Sequence, residues 1–243
     1  MTCHFVRWTS TEALPDLQRL PDRLISSTQG FSTKRRERYL KSRALLAEMM
    51  FYFFGYPLLP TLLVSPEGRP YFADPNLPNF SIGYAGNTIA ILLSEEGSVG
   101  MDIEIVHVRP TNQTVPQTQA EQAWIDAQRD PLEAATQLCT IRQSLVKMPG
   151  ANSHLPHNLK LHPASGRLRS TYTPAVEVMS DVDDYLAWAC AHIPTLNRLV
   201  MWKYTSASGM RKSGEILQQQ RQSVRYMKLT SHTIEKVTST ASQ

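Results

Sequence analysis

The sequence predicts an α+β fold built from two similar subdomains, each a helix packed on a small antiparallel sheet. The first observation behind this prediction is a strongly helical segment followed by short apolar runs in the first half of the chain. The second is that the same order of patterns returns in the second half, although without a residue-level repeat. The third is composition, because 243 residues with 42% hydrophobic and 19% charged residues can build a substantial globular core.

The clearest helix spans residues 33–54, TKRRERYLKSRALLAEMMFYFF. Tyr39, Leu46 and Met50 recur there at helical spacing, so they predict one apolar face that packs on the core. Gly55 follows the last helical residue, and glycine at this position favours the left-handed conformation that ends a helix. This segment is therefore the expected helix of the first subdomain.

Cations are concentrated in the first half of this helix, at Lys34, Arg35, Arg36, Arg38, Lys41 and Arg43. The plainer interpretation is a solvated basic face, which is the commoner reason for a run of charge. Arg36 and Arg43 are seven residues apart and hence share a face, and a rigid helix groups their charges in a way that suits phosphate. From the residues alone, both interpretations stay open.

Short strands are predicted after this helix. The segment EGRPYF, residues 67–72, predicts a glycine turn that leads into a strand. The runs TIAILLS and VGMDIEIV, residues 88–94 and 99–106, predict buried strands joined by the turn EEGS. Residues 84–86, YAG, predict a glycine-rich turn before them, where Gly83 and Gly86 could either let the backbone approach a phosphate or simply serve as turn glycines.

The second half begins with residues 108–120, which are rich in Pro, Thr and Gln and predict an exposed loop. Residues 121–147 return to a helical pattern, a hairpin is expected around Ser165 and Gly166, and YLAWACAHI and LVMWKY predict further strands. The expected division of the chain is 1–107 for the N-terminal subdomain, 108–120 for the loop, 121–205 for the C-terminal subdomain and 206–243 for a weakly structured polar tail.

The balance of charge bears on the class of partner. A formal net charge of +4 and a pI near 9.0 suit an anionic ligand or an acidic partner protein. A nucleic-acid binder that uses the cations of residues 34–43 is the weakest reading, because the chain has no aromatic platform, no recognition motif and no strong excess of charge. We therefore expect no nucleic acid among the partners.

Cysteine usage and hydropathy indicate the compartment. Three widely spaced cysteines argue against a disulfide framework and for a reducing cytoplasm. The start MTCHFVRWTS lacks the apolar core of a signal peptide. The apolar stretch of residues 45–64 contains Glu48, Gly55, Pro57 and Pro60, which break any membrane-spanning helix. The expectation is a cytoplasmic protein that does not enter a membrane.

A pair of carboxylates provides the first candidate for chemistry. Asp102 and Glu104 stand two residues apart in a predicted strand, so both project from one face and could bind a hard cation such as Mg²⁺. The Asp-x-Glu pattern is common by chance and indicates a metal only together with the basic helix before it and a polar helix after it. On that later helix, Cys139, Gln143 and Lys147 lie four residues apart, which is either ordinary packing or one wall of a site.

Four segments between residues 33 and 150 occur in a recognisable order: SRALL (42–46), GRPY (68–71), FSIGYAG (80–86) and GMDIE (100–104). In this order they resemble the motifs of the 4'-phosphopantetheinyl transferases of the surfactin type, a superfamily of holo-acyl-carrier-protein synthase-like enzymes. Arg43 matches the family's coenzyme-binding arginine, GRPY its Gly-Lys-Pro turn, and GMDIE fully matches Gly-x-Asp-x-Glu. FSIGYAG corresponds to Phe-Asn-x-Ser-His-Ser-Gly. The family's last motif, Trp-x-x-Lys-Glu-Ala, becomes CTIRQS (139–144), with the following Lys147 retained.

The resemblance implies a fold, a reaction and a set of site residues. Two subdomains in a pseudo-twofold arrangement would hold coenzyme A in the cleft between them, and its 4'-phosphopantetheine group would pass to a serine of an acyl or peptidyl carrier protein. The implied coenzyme-binding residues are Lys34, Arg36, Arg43, Arg69, Gly83 and Tyr84. The implied ligands of Mg²⁺ are Asp102, Glu104 and Gln143, and the catalytic group is these three together with Lys147. The protein is expected to act as a monomer.

Three substitutions fall on the implied functional positions. Gly83 lacks a hydroxyl, Tyr84 replaces a phosphate-contacting histidine, and Gln143 replaces a metal-binding glutamate. Tyr84 can donate a hydrogen bond but carries no positive charge, and Gln143 offers only a neutral oxygen. The motifs are therefore degenerate, and an alternative stays open in which a weakened or inactive homologue binds coenzyme A or a carrier protein without transfer.

Overall fold

The structure is a computed structural model that describes residues 1–9, 16–106, 118–149, 159–169, 175–217 and 223–231. Within these ranges the helices are α1 (Asp22–Ser26), α2 (Thr33–Phe54), α3 (Gln119–Asp126) and α4 (Pro131–Val146). The strands of the first half are β1 (Thr2–Thr9), β2 (Leu62–Val64), β3 (Pro70–Phe72), β4 (Asn79–Ala85), β5 (Thr88–Ser94) and β6 (Ser98–Ile105). Those of the second half are β7 (Lys160–His162), β8 (Arg167–Arg169), β9 (Glu177–Asp183), β10 (Leu186–Ile193), β11 (Arg198–Thr205), β12 (Gly209–Leu217) and β13 (Met227–Thr230).

Two large sheets organise the fold. The first has the strand order β12-β11-β1-β5-β4, and the second has the order β6-β10-β9-β13-β8-β7. Strands β2 and β3 form a separate hairpin. Most neighbouring pairs are antiparallel, but β1 with β11 and β13 with β8 are parallel. The fold is α+β, as predicted, whereas the expectation of antiparallel sheets is wrong for these two pairs.

Successive side chains of a strand point to opposite faces of its sheet, and this alternation divides the core into layers. On β1, Val6 and Trp8 pack in the cluster beneath α2, whereas Phe5 packs with Trp188 of β10 in a cluster between the two sheets. A third cluster joins the apolar face of α4, including Ile141, to the other face of the second sheet. Each large sheet thus carries one long helix on its outer face, and the two sheets face each other through their inner side chains.

The local predictions hold where a residue pattern is strong. The helix of residues 33–54 is α2, and Gly55 ends it in the left-handed conformation with φ of +75°. The predicted strands of residues 88–94 and 99–106 correspond to β5 and β6, and the predicted hairpin around Gly166 corresponds to β7 and β8. The helical pattern of residues 121–147 is divided into α3 and α4, because Asp130 caps a new helix that begins with a proline.

Two local predictions are wrong. Gly83 and Tyr84 do not lie in a turn, because β4 continues to Ala85 and pairs with β5 before the chain reverses at Gly86. The region after residue 205 is not a weakly structured tail throughout, since β12 extends the first sheet and β13 inserts beside β9. Their polar composition reflects partly exposed strands, and their few apolar members, such as Ile216 and Leu229, are buried.

The predicted division into subdomains does not follow the sheets. Strand β6 belongs to the predicted N-terminal subdomain but pairs with β10 of the second sheet, and β11 of the predicted C-terminal subdomain pairs with β1. The predicted loop of residues 108–120 ends where α3 begins, and its residues 108–117 lie outside the described residues. So do residues 218–222 and 232–243 of the predicted tail. No helix in the described part of the chain is long and apolar enough to span a membrane.

Candidate functional site

A cleft of about 1200 Å³ lies between α2, the β2–β3 hairpin, the outer strand β4 and the end of α4. Among the described residues, its wall has four cationic side chains, from Arg35, Arg43, Arg69 and Lys147, but a single carboxylate, from Glu67. Aromatic and aliphatic groups complete the lining. A large cleft with this imbalance of charge suits an extended ligand that carries several negative charges on an apolar body.

Phe31, which precedes helix α2, and Arg35, Tyr39 and Arg43 of the helix line this cleft at four-residue spacing. The guanidinium carbon of Arg35 lies 4.1 Å from the ring centroid of Phe31, and that of Arg43 lies 4.2 Å from the ring centroid of Tyr39. The Phe31 and Tyr39 rings meet edge to face at a centroid distance of 5.5 Å. Tyr39 and Arg43 are neighbours because they lie four apart on a helix, and Arg35 stacks on the ring of Phe31 just before the helix, so rings and not carboxylates of the described residues hold both arginines.

Two arginines of the cleft are only partly satisfied. Arg43 is 7% exposed and donates from one terminal nitrogen to the Ser42 hydroxyl at 3.0 Å, but its Nε is buried without a partner. Arg69 donates to the Phe80 carbonyl at 3.1 Å, and its Nε is likewise buried without a partner. Burial lowers the pKa of Arg69. Buried cations with unused donors are prepared to bind an anion, because the cost of their desolvation is already part of the folded state.

The outer strands of the two sheets meet beside the cleft. The Ser81 hydroxyl of β4 accepts a hydrogen bond of 2.9 Å from the backbone N–H of Met101 in β6. Gly83 faces the same strand, and a Cβ at this position would lie 3.0 Å from the Met101 sulfur and 3.3 Å from Ile103. The absence of a side chain at Gly83 therefore allows close packing of β4 on β6, and the residue has no room to carry a group toward a ligand.

Lys147 joins these two strands from the end of α4. Its Nζ donates to Oδ1 of Asp102 at 2.7 Å and to the Ile82 carbonyl at 3.2 Å. The side chain of Lys147 is 32% exposed, and that of Asp102 is 11% exposed. Lys147 lines the cleft, so the ammonium group connects the wall of the cleft with a carboxylate in the strand behind it.

Burial raises the pKa of Asp102, against the opposing effect of Lys147, and the nearby Glu104 carboxylate raises it further. Asp102 and Glu104 therefore interact across the two-residue spacing of β6, as expected for side chains on one face of a strand. Among the described residues, no group of three or more His, Cys, Asp or Glu side chains could hold a metal ion. A metal at this position would need oxygen ligands from another source in addition to the two carboxylates.

Helix α4 lies directly on β6 at Gly100. A Cβ at Gly100 would lie 2.1 Å from the Ser144 carbonyl oxygen, so only glycine permits this approach. Gln143 is half-buried on this helix, one turn before Lys147, and its carbonyl accepts the hydrogen bond from the Lys147 N–H that ends the helix. Within the described residues its side-chain amide forms no hydrogen bond.

Arg142, next to Gln143, has a structural role. It is 2% exposed, and it donates to both carboxylate oxygens of Glu121 at 2.5 Å and to the Leu159 carbonyl at 2.9 Å. Glu121 is fully buried and also closes the capping box of α3 with Thr118. Arg142 therefore neutralises a buried carboxylate and ties α4 to α3, facing away from the cleft lining.

A second cavity of about 410 Å³ lies at the turn after β4. Its lining includes Arg38, Tyr84, Gly86 and Glu104. The guanidinium carbon of Arg38 lies 4.0 Å from the ring centroid of Tyr84, and Tyr84 lines the large cleft as well. Tyr84 therefore lines both spaces, and Arg38 and Glu104 line the smaller one.

The predicted site residues fall into three groups. Arg43, Arg69, Tyr84 and Lys147 line the cleft, and Glu104 lines the smaller cavity with Tyr84. The residues that line neither cavity are Lys34, Arg36, Gly83, Asp102 and Gln143. Of these, Asp102 reaches the cleft through Lys147, whereas Arg36 donates to the Thr28 hydroxyl at 3.1 Å.

The structure also brings residues to the cleft that the sequence interpretation did not select. Phe31, Arg35, Tyr39 and Ser81 line it, and Arg38 stacks on Tyr84. The signal for the first three was present as four-residue spacing from Phe31 to Arg43. The sequence hypothesis used the seven-residue spacing of Arg36 and Arg43 instead. Arg35 could be selected only once the position of the β2–β3 hairpin, which forms the other wall of the cleft, was known.

No protein-family model matches the chain. The uncharacterized protein YieE of Escherichia coli K12 is 36% identical over 225 residues, which cover 89% of this chain and 90% of YieE. The chain belongs to the YieE family.

Two further relatives carry a functional name. The 4'-phosphopantetheinyl transferase AcpT of Escherichia coli K12 is 34% identical over 125 residues, which cover 49% of this chain and 60% of AcpT. A putative 4'-phosphopantetheinyl transferase of Haemophilus influenzae is 25% identical over 208 residues, which cover 81% of this chain and 88% of that protein. These similarities support a relation of the YieE family to the 4'-phosphopantetheinyl transferase superfamily.

Proposed function

We propose that this protein transfers the 4'-phosphopantetheine group of coenzyme A to a serine of an acyl or peptidyl carrier protein, as a transferase of the surfactin type with a pseudo-twofold arrangement. The serine oxygen attacks the β-phosphorus of coenzyme A, and a new P–O bond forms as the bond to the leaving phosphate breaks. The products are the phosphodiester-linked carrier protein and 3',5'-ADP, and the serine proton passes to solvent or to a base. Coenzyme A is both the ligand of the cleft and the donor of the group.

The observation that carries this proposal is the cleft whose cations stand beside a buried carboxylate. Arg43 and Arg69 offer unused buried donors, and Lys147 links the cleft to Asp102. A ligand with several phosphates and a long uncharged arm matches a cleft of this size, charge and apolar content. The names of AcpT and of the Haemophilus protein favour coenzyme A among ligands of this class.

Asp102 and Glu104 fit Mg²⁺ if phosphate oxygens of the substrate and water supply the remaining ligands. Mg²⁺ is usually held by one or two carboxylates together with phosphates of the substrate and water. Asp102 and Glu104 supply two carboxylates on one strand face, and Gln143 could supply a neutral oxygen. When bound, the ion would neutralise charge that develops on the pyrophosphate.

The residues of the chain itself would act by positioning and by charge. Arg43, Arg69 and Arg35 would hold phosphates, because arginine forms bidentate hydrogen bonds with phosphate oxygens. Lys147 would stabilise negative charge at the reacting phosphate from the opposite wall of the cleft. Transfer of this kind depends mainly on alignment and on stabilisation of the transition-state charge, so a neutral Gln143 weakens but does not exclude it.

The test is incubation of the purified protein with coenzyme A, Mg²⁺ and a panel of apo carrier proteins, followed by intact mass measurement. The expected result is the addition of one phosphopantetheine group to at least one carrier protein. The Asp102→Ala variant should abolish the addition, and Gln143→Glu should lower the Mg²⁺ concentration that is required. Absence of any adduct, on a panel that a known transferase modifies, would refute the proposal.

A second candidate function is binding without transfer. The observation that favours it is the set of departures at the site, where Gly83 is packed against β6, Tyr84 is stacked by Arg38, and Gln143 carries no charge. Calorimetry with coenzyme A separates the two functions, because a binding module gives heat of binding but no adduct in the assay above. Detection of multiple turnovers would exclude the binding module.

A further inference from the structure

The Lys147–Asp102 ion pair occupies the place where the two sheets and α4 meet. Lys147 caps the C-terminal end of α4, and its ammonium group reaches both the Ile82 carbonyl of β4 and Asp102 of β6. It therefore uses two of its three N–H groups to join the outer strands, while the side chain remains 32% exposed at the cleft. A lysine that is only partly enclosed can change partners at a low steric cost.

Asp102 needs this counter-charge in the absence of a ligand. Its side chain is 11% exposed, it stands beside Glu104, and burial disfavours its ionised form. Lys147 is the ion-pair partner of Asp102 within the described residues. A divalent cation held by the Asp102 and Glu104 carboxylates would compete for the same Oδ1 atom that now accepts the Lys147 hydrogen bond.

We infer that Lys147 is an exchangeable counter-ion, which neutralises Asp102 in the ligand-free protein and is displaced toward the phosphates of the cleft when a divalent cation binds. This inference rests on the proposed function for the position of the cation. The displaced ammonium group loses a carboxylate and gains phosphate oxygens, so Lys147 couples the binding of the cation to the binding of the phosphorylated ligand. In the liganded state Lys147 therefore contacts the phosphates directly, which is the position that the proposed function gives it.

The exchange has two consequences for binding. The cation alone binds the native protein weakly, because it must displace Lys147 before any phosphate is present to receive the ammonium group. Coenzyme A strengthens cation binding for two reasons: it provides phosphate oxygens as ligands, and it provides a new partner for Lys147. Linkage requires that the cation strengthens coenzyme A binding by the same factor.

The test measures Mn²⁺ binding by water-proton relaxation at about pH 8, far above the ordinary range of carboxyl pKa values, without and with coenzyme A. Lys147→Met should bind Mn²⁺ alone about fivefold more tightly than the native protein, the factor expected when one partly exposed ion pair no longer competes. Coenzyme A should then increase Mn²⁺ affinity by a smaller factor in this variant than in the native protein. Lys147→Arg retains the charge and should keep Mn²⁺ affinity near the native value.

Matched variants separate the possible causes. Lys160→Met removes the same charge from an exposed position on β7, at the opposite edge of the second sheet from β6. Its Mn²⁺ affinity should be native, and an equal gain in this variant would assign the effect to net charge and overturn the inference. Asp102→Asn should lose Mn²⁺ binding.

The outcomes distinguish this inference from the proposed function. If neither the native protein nor any variant binds Mn²⁺, or if Asp102→Asn binds it normally, the cation site of the proposed function is wrong and the inference fails with it. If Asp102→Asn loses Mn²⁺ but Lys147→Met binds it no more tightly than the native protein, the cation site stands and the exchange alone is refuted.

Discussion

Two buried arginines on two helices show how this protein separates structure from recognition. Arg142 of α4 is 2% exposed and bonds to both oxygens of Glu121, whereas Arg43 of α2 is 7% exposed and pairs with no carboxylate among the described residues. Arg43 is held instead by the Tyr39 ring and by the Ser42 hydroxyl. Both cations are largely removed from water, but among the described residues only the charge of Arg142 is balanced by a carboxylate.

The role of a buried charge depends more on whether a carboxylate balances it than on how deeply it is buried. A balanced ion pair fixes the helices that contribute it, and removal of one partner leaves an uncompensated charge in the interior. A buried cation without an acid, at the wall of a cleft, retains its capacity to bind an anion. By this criterion α4 uses Arg142 to join α3, whereas Arg43 of α2 is the arginine that we propose binds a ligand. Three changes test this comparison.

The largest expected effect is on stability, from Glu121→Gln. The variant keeps the shape of the side chain but leaves the Arg142 charge without its carboxylate in a fully buried position. We expect the free energy of unfolding to fall by about 3–5 kcal/mol, as for other buried ion pairs that lose one partner. Urea denaturation followed by circular dichroism measures this change.

Glu48→Gln is the matched control for that variant. Glu48 pairs with Arg19 at 2.9 Å, but both side chains are more than a quarter exposed. The free energy of unfolding should therefore change by less than about 1 kcal/mol. Equal losses in the two variants would contradict the view that Arg142 and Glu121 form a special structural pair.

The next effect is on ligand affinity, from Arg43→Met. Methionine preserves much of the buried volume and removes a charge that no described carboxylate balances, so the free energy of unfolding should stay within about 1 kcal/mol of the native value. Affinity for coenzyme A should fall about ten- to a hundredfold, the loss expected for hydrogen bonds to a charged phosphate. Isothermal titration calorimetry without Mg²⁺ measures it.

Arg167→Met provides the control, since Arg167 is exposed on β8 of the second sheet and the variant removes the same charge. Its affinity for coenzyme A should be native. If Arg43→Met lowers the free energy of unfolding as much as Glu121→Gln does, Arg43 is a structural residue like Arg142 and the proposed contrast between them is wrong.

Sequence patterns were sufficient to predict the helices and strands whose formation depends on residues that are close together in the chain. The periodicity of residues 33–54 and the glycine that follows predicted α2 with its boundaries, and the apolar runs around the EEGS turn predicted β5 and β6. Pairing between distant strands leaves no local pattern. The parallel partnership of β1 with β11 and the insertion of β13 into the second sheet depend on residues far apart in the chain, so they could not be read from the sequence.

The same limit applies to the site. Asp102, Glu104 and Lys147 could be selected from the sequence, because two-residue and four-residue spacings place side chains on one face of a strand or a helix. The packing of Gly83 could not be predicted, because a glycine beside a tyrosine and before a second glycine predicts a turn. In the structure Gly83 lies in a strand, close to Met101. Arg142 and Gln143 are adjacent in sequence, yet one is buried against Glu121 and the other is half-buried with no side-chain hydrogen bond to a described residue. The burial of Arg142 could not be predicted, because it depends on the position of α3, which supplies Glu121.

The smallest effect concerns the support of Arg43, which depends on an aromatic ring where Arg142 has a carboxylate. Tyr39→Leu removes the ring that lies 4.2 Å from the Arg43 guanidinium carbon. A cation–π contact of this kind contributes about 0.5–1 kcal/mol, so affinity for coenzyme A should fall about two- to fivefold, far less than in Arg43→Met. Tyr39→Phe keeps the ring and should bind as the native protein does in the same titration. If Tyr39→Phe weakens binding as much as Tyr39→Leu, the hydroxyl group acts on the ligand directly. Tyr39 would then be part of the binding surface, and the Ser42 hydroxyl and the surrounding packing would be left to hold Arg43 in place.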